Sequence, residues 1–169
     1  SLAVWPVLTG LIFILRSLGV AYNEVVVALL DRPGFGPSLR NFAWKMVAVV
    51  IVLHLLLALT PLSGLYFAQI AALPPQLAEL ARIGFLIALP MPALSVLQSW
   101  YQGAILNSGR TRAIPESVAV FFVTVLVVLG IGVTWNGVTG LYIGMTGFVL
   151  ANAAQAGWLW WRSRLILSK

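Results

Sequence analysis

The sequence predicts an all-α, polytopic bundle of five membrane-spanning helices, and three observations carry that reading. Hydrophobic residues make up 61% of the 169 and charged residues only 8%, where a soluble domain carries about 25% charge. The apolar residues are gathered into continuous runs rather than alternating, which selects helices over strands. Each run approaches the roughly 20 residues a helix needs to cross a bilayer, in whose core backbone groups must be satisfied internally.

The spans fall at about 4–30, 43–61, 81–104, 115–134 and 138–161. The first carries Thr9, Arg16 and Asn23 at seven-residue spacing, with Gly10, Ser17 and Glu24 beside them. Seven residues are nearly two turns, so these form one polar and small stripe. Arg16 falls near the middle of the span, where a charge costs about 3 kcal/mol or more and must face protein or a water-filled cavity. Arg16 and Glu24 are separated by about 12 Å along the axis at 1.5 Å per residue, close enough to line one cavity. A structural polar network between helices is the alternative.

The connection DRPGFGPSLRNF leads to a second span that is apolar except for Lys45 near its end and His54 deeper in. His54 is expected to be a hydrogen-bonded core or lipid-interface histidine, with a proton relay as the weaker alternative. From Pro61 to Leu80 the connection is too apolar for a solvated loop, so part of it is expected in the outer interface. The third span carries Pro90 and Pro92, which remove backbone donors and predict a kink. Below it Ser95, Gln98, Ser99 and Gln102 share one face. Gln98 and Gln102 suit either a cavity wall or interhelical hydrogen bonds.

The turn NSGRTRAI leads to a fourth span with Pro115 in its first turn. The last span, after a turn at Trp135–Asn136, has Gly140, Gly144, Gly147, Ala151 and Ala154 at helical spacing, a packing face that admits a neighbour closely. Asn152 and Gln155 lie near it.

Charge sets the orientation. Arg32, Arg40, Lys45, Arg110, Arg112, Arg162, Arg164 and Lys169 fall on one side of the predicted bundle and Arg82 on the other, with Arg16 inside a span. The basic-rich side is expected in the cytoplasm, so that in the plasma membrane this segment's N-terminal end lies outside and its C-terminus in the cytoplasm. All seven tryptophans sit near span ends, as an interfacial belt requires. The lipid bilayer is thus the expected partner. Nucleic acid is not expected, because the basic residues cap apolar runs instead of clustering on a polar face. Cysteine is absent, which excludes disulfides and thiolate metal sites. One histidine and four scattered acids make no metal site, and no catalytic constellation or cofactor motif is present, so an enzyme is not expected.

The order of features RSLGVAYNEVVVALL, LTPLSGLYF, PPQLAELARIGFLIALPMPAL, YQGAILNSGRTRAIPES and GVTGLYIG resembles the C-terminal part of multidrug and toxic compound extrusion (MATE)-type transporters. These belong to the multidrug, oligosaccharidyl-lipid and polysaccharide exporter superfamily. The layout is also similar to bacterial relatives of the progressive ankylosis protein. The resemblance implies that this single transmembrane domain, residues 1–169, is most of the C-terminal lobe of a two-lobed transporter whose N-terminal lobe lies elsewhere in the same chain. It implies alternating access coupled to Na⁺ or H⁺, and export or flipping of organic ions, lipid-linked sugars or small organic anions. It transfers no ion-binding residue. A non-transporting membrane subunit or scaffold that docks partner helices is the alternative function.

Overall fold

A computed structural model describes residues 3–134 and 139–167. Every regular element among these residues is helical. α1 spans Val4–Leu29, and the chain then reverses within five residues. Gly34 takes φ 83° in that turn, a left-handed conformation that glycine adopts without a Cβ clash. α2 follows at once over Phe35–Leu59. The segment SLRNF, expected as loop before a span starting at 43, is therefore already helix. Pro37 does not prevent this, because it lies in the first turn, where backbone N–H groups lack intrahelical partners anyway.

α2 stops at Thr60, whose extended backbone (ψ 164°) is what a residue preceding proline prefers. The apolar connection is mostly helical: α3 spans Pro61–Leu65 and continues as a wider turn of π-helix over Tyr66–Ile70. It buries Phe67 edge-on against Phe85, with ring centroids 6.2 Å apart. This segment is a lid on the bundle's end and contributes to its core.

α4 (Pro75–Ile87) and α5 (Pro90–Asn107) are the two halves of the predicted third span. The break falls where the prolines place it. The carbonyl of Ala88, which Pro92 cannot serve, accepts from the N–H of Met91 at 2.9 Å. α6 covers Ala113–Thr134 and α7 covers Gly140–Leu167. The predicted turn at Trp135–Asn136 lies outside the described residues.

Among the described residues, four stretches are long and apolar enough to cross a membrane: α1, α2, the α4–α5 pair (Pro75–Asn107) and α6. That is consistent with a membrane protein. The predicted fifth span is not among them. α7 is long, at 28 residues, but its glycines and the amides Asn152 and Gln155 make it less apolar than the others.

α5 is the central helix. α1 runs along one side of it, α2 and α7 along others, and α6 packs chiefly on α7. Among the described residues the core falls into three clusters. The first gathers Leu8, Ile12, Phe67, Phe85, Met91 and Met145, the second Tyr22, Val26, Val50, Val96 and Trp100, and a small third Ile105, Ala113 and Leu159. The α1–α5 contact is very close. A Cβ on Gly19 would stand 2.8 Å from the backbone nitrogen of Val96, and one on Gly103 would stand 2.6 Å from Val26 Cγ1. α6 turns Phe122, Val123, Leu126, Ile131 and Val133 outward, an apolar outer face consistent with a membrane-spanning helix.

Candidate functional site: a polar cavity between α1 and α5

The close approach at Gly19 sets two polar faces opposite each other. On α1, Arg16, Asn23 and Glu24 lie one or two turns from Gly19; on α5, Ser95, Gln98, Ser99 and Gln102 repeat at three- and four-residue spacing. Together with Val20 they line a single open cavity of about 310 Å³. The structure thus brings together all five residues that the sequence singled out as cavity-lining: Arg16, Asn23, Glu24, Gln98 and Gln102.

The cavity has a defined electrostatic character. Arg16 is half-buried and donates from Nε to Ser95 Oγ at 2.7 Å and from Nη2 to Asn152 Oδ1 at 3.2 Å. Both acceptors are neutral. Among the described residues, the two ion pairs both involve Glu116, so neither includes Arg16 or Glu24. The guanidinium is held in place without its charge being cancelled. Glu24 is exposed at the cavity edge, two turns from Arg16.

Behind the wall runs an amide relay. Gln98 Nε2 donates to the carbonyl of Asn152 at 3.0 Å, and also lies 3.4 Å from both Asn152 Oδ1 and Gln155 Oε1. Asn152 Nδ2 donates to the carbonyl of Phe148 at 2.8 Å, which fixes the orientation of its own side chain. Gln155 Nε2 reaches Ser117 Oγ at 3.5 Å, linking α7 to α6. On the other flank Asn23 Nδ2 donates to the carbonyl of Ser99 at 3.2 Å. Sequence spacing marked the α5 face and the α1 stripe. It did not mark Asn152 as the acceptor for Arg16, although an amide inside an apolar run was the available signal.

The rest of the seven-residue stripe is not part of the cavity. Thr9 Oγ1 donates to the carbonyl of Trp5 at 2.7 Å and Ser17 Oγ to that of Ile14 at 2.7 Å, so both hydroxyls are spent on their own helix.

His54 is fully buried, with its ring stacked on Phe85 at 4.1 Å between centroids and Nε2 at 2.9 Å from the Phe85 carbonyl. No other titratable side chain among the described residues is hydrogen-bonded to it. Its Nδ1 is buried without a hydrogen-bond partner, so the ring is held by stacking and by a single hydrogen bond.

The predicted glycine face of α7 does not act as one face. A Cβ on Gly144 would stand 3.0 Å from the Trp5 ring on α1, and one on Gly147 would stand 3.4 Å from Val128 on α6. Gly140 meets nothing within 4 Å. α7 lies between neighbours, and a stripe straight along its axis is divided between them.

Just beyond the cavity, at the C-terminal ends of α1 and α5, the charged residues gather. Asn107 Nδ2 donates to Asp31 Oδ1 at 2.8 Å, joining the α1–α2 and α5–α6 turns. Glu116 pairs with Arg112 at 3.4 Å and Arg162 at 3.2 Å.

Family models, curated proteins and solved structures were all compared with this chain, and none matches it.

Proposed function

We propose that this chain is most of the C-terminal lobe of a two-lobed secondary active transporter, an exporter or flippase of MATE-like layout, and that the Arg16 cavity contacts an anionic group of its substrate. The single observation that carries the reading is the Arg16 guanidinium, half-buried in an open cavity and held by two neutral acceptors. An ionisable residue at membrane depth is costly, and its usual justification is function. A positive charge that is oriented but not neutralised suits an anion entering the cavity. In this reading α7 is the fifth span, its amides turned inward to the relay, and the basic end faces the cytoplasm. The substrate class is organic ions, lipid-linked sugars or small organic anions, moved by alternating access with Na⁺ or H⁺ as the coupling ion.

A second reading, a non-transporting subunit or scaffold, is favoured by one observation. The relay from Arg16 through Asn152, Gln98 and Gln155 to Ser117 ties four helices together, which a purely structural role would also use. Transport per folded molecule separates the two. In vesicles reconstituted with the full-length protein, Arg16→Gln is expected to lower transport by an order of magnitude or more while the protein still inserts. Wild-type transport by that variant would sink the cavity reading and leave Arg16 as a tie between helices.

A further inference from the structure

A second pocket lies at the charge-rich end, and none of its lining is shared with the Arg16 cavity. It measures about 360 Å³ and opens between α2, α5 and α7, with Arg40, Trp44, Trp100, Tyr101, Trp160 and Arg164 among its walls. A smaller cavity of about 230 Å³ continues from it, sharing Arg40 and Trp100. α5 therefore has two working faces. Its amides and serines turn to the Arg16 cavity, and its aromatics turn to this one.

We propose that this pocket binds the phosphate headgroup of an anionic phospholipid. Three features support the assignment. The first is charge. Two guanidiniums line the pocket and no carboxylate does. At the end of α7 the two arginines divide their work: Arg162 is paired with Glu116, while Arg164 turns to the pocket and lies over the Trp160 ring, 3.5 Å from its centroid. A guanidinium braced on an aromatic face keeps its edge donors available for phosphate oxygens.

The second is shape. About 360 Å³ falls in the roughly 300–1,000 Å³ range of small-molecule pockets. The indole and phenol rings belong to the amphipathic class that sits at headgroup depth.

The third distinguishes a lipid from a free phosphate. From Trp44, 57% exposed, the outer face of α2 continues through Ala48 to Val52, 54% exposed, at four-residue spacing. This is an apolar track leading out of the pocket along the helix, where acyl chains attached to the bound phosphate would lie.

The test uses purified protein with phosphatidylglycerol, phosphatidylcholine or inorganic phosphate as the probe. In native mass spectra the wild-type protein is expected to retain phosphatidylglycerol in preference to phosphatidylcholine. Thermal stability in detergent is expected to rise with the anionic lipid alone. Arg40→Gln with Arg164→Gln should weaken phosphatidylglycerol binding by roughly tenfold or more. Arg32→Gln with Arg110→Gln, which removes the same charge from the same end, should leave the preference intact. Arg40→Lys with Arg164→Lys should retain most of it, since the charge remains. Equal retention of the two lipids by the wild type overturns the proposal. So does an undiminished preference in the Arg40/Arg164 glutamine pair, or an equal loss in the Arg32/Arg110 pair. Stabilisation by inorganic phosphate equal to that by phosphatidylglycerol would assign the pocket to a free anion and overturn the lipid. The site is separate from the transport reading: Arg16→Gln should not alter the lipid preference.

Discussion

Arg16 Nε and Ser95 Oγ meet at 2.7 Å across the α1–α5 contact, three residues from the point where Gly19 lets the two backbones close in. The pairing depends on that closeness. A serine side chain is short, so its hydroxyl reaches a neighbouring helix only where no Cβ keeps the helices apart. The arginine is therefore positioned by a glycine it does not touch.

The acceptor on α7 gives the sharpest chemical test. Asn152→Leu removes the oxygen that receives Arg16 Nη2 at 3.2 Å and Gln98 Nε2 at 3.4 Å, and should cost about 1–3 kcal/mol by leaving donors unsatisfied. Asn152→Asp places a carboxylate beside the guanidinium. It should raise thermal stability in detergent above that of Asn152→Leu, yet reduce transport of an anionic substrate by neutralising the cavity. Full transport by Asn152→Asp would show that the charge of Arg16 is not used.

Close packing makes a prediction that separates the glycines. Gly19→Ala sets a Cβ 2.8 Å from Val96 N and 3.0 Å from the Ser95 carbonyl carbon. Because the obstacle is backbone, the helices must shift, and a loss of about 1–3 kcal/mol is expected. Gly140→Ala, with open space around it, should be neutral or slightly stabilising. Equal melting temperatures for the two variants would remove the argument from close approach.

His54 should behave as core. His54→Ala leaves a hole against Phe85 and should cost about 2–4 kcal/mol. His54→Phe keeps the stacked ring and loses one hydrogen bond to the Phe85 carbonyl, so a smaller loss of about 1–2 kcal/mol is expected. Its transport per folded molecule should have the wild-type pH profile. A changed profile in His54→Phe would favour the proton relay over the core role.

Orientation can be read with single cysteines, since the chain has none of its own. Ser108→Cys in the α5–α6 turn is expected to be shielded from an impermeant thiol reagent in intact cells. Gln76→Cys, exposed at the start of α4, is expected to react. The reverse pattern would invert the topology.

Much of this architecture was legible in the residues, because the strongest signals were local. Pro90 and Pro92 marked the break between α4 and α5, Pro115 the first turn of α6, and the spacing of Ser95, Gln98, Ser99 and Gln102 the polar face of α5. What escaped was the relation between helices. Gly103 is the one glycine of α5, and Gly19 shares α1 only with Gly10, which is not at helical spacing from it, so no pattern within one helix marks them; their meaning appears only when α1 and α5 are laid together. The α7 glycines had the pattern but not the partner, since Gly144 and Gly147 face different helices. The start of α2 was missed for another reason. Proline and glycine density in DRPGFGPS read as loop, although only the turn at Gly34 requires it and Pro37 fits a helix's first turn.

The uncancelled charge of Arg16 has an electrical consequence. Arg16 is the thirteenth residue of the 26 in α1, so in a membrane it stands about halfway through the potential drop. A monovalent anion that reaches it from either side crosses about half of that drop, which is worth about 1 kcal/mol per 100 mV. If the proposed anion binds at Arg16, its binding is electrogenic and should register as a capacitive current on a supported membrane when substrate is added. An Arg16→Gln bundle that binds no anion should give no such current, and a current of unchanged size would place the bound anion elsewhere.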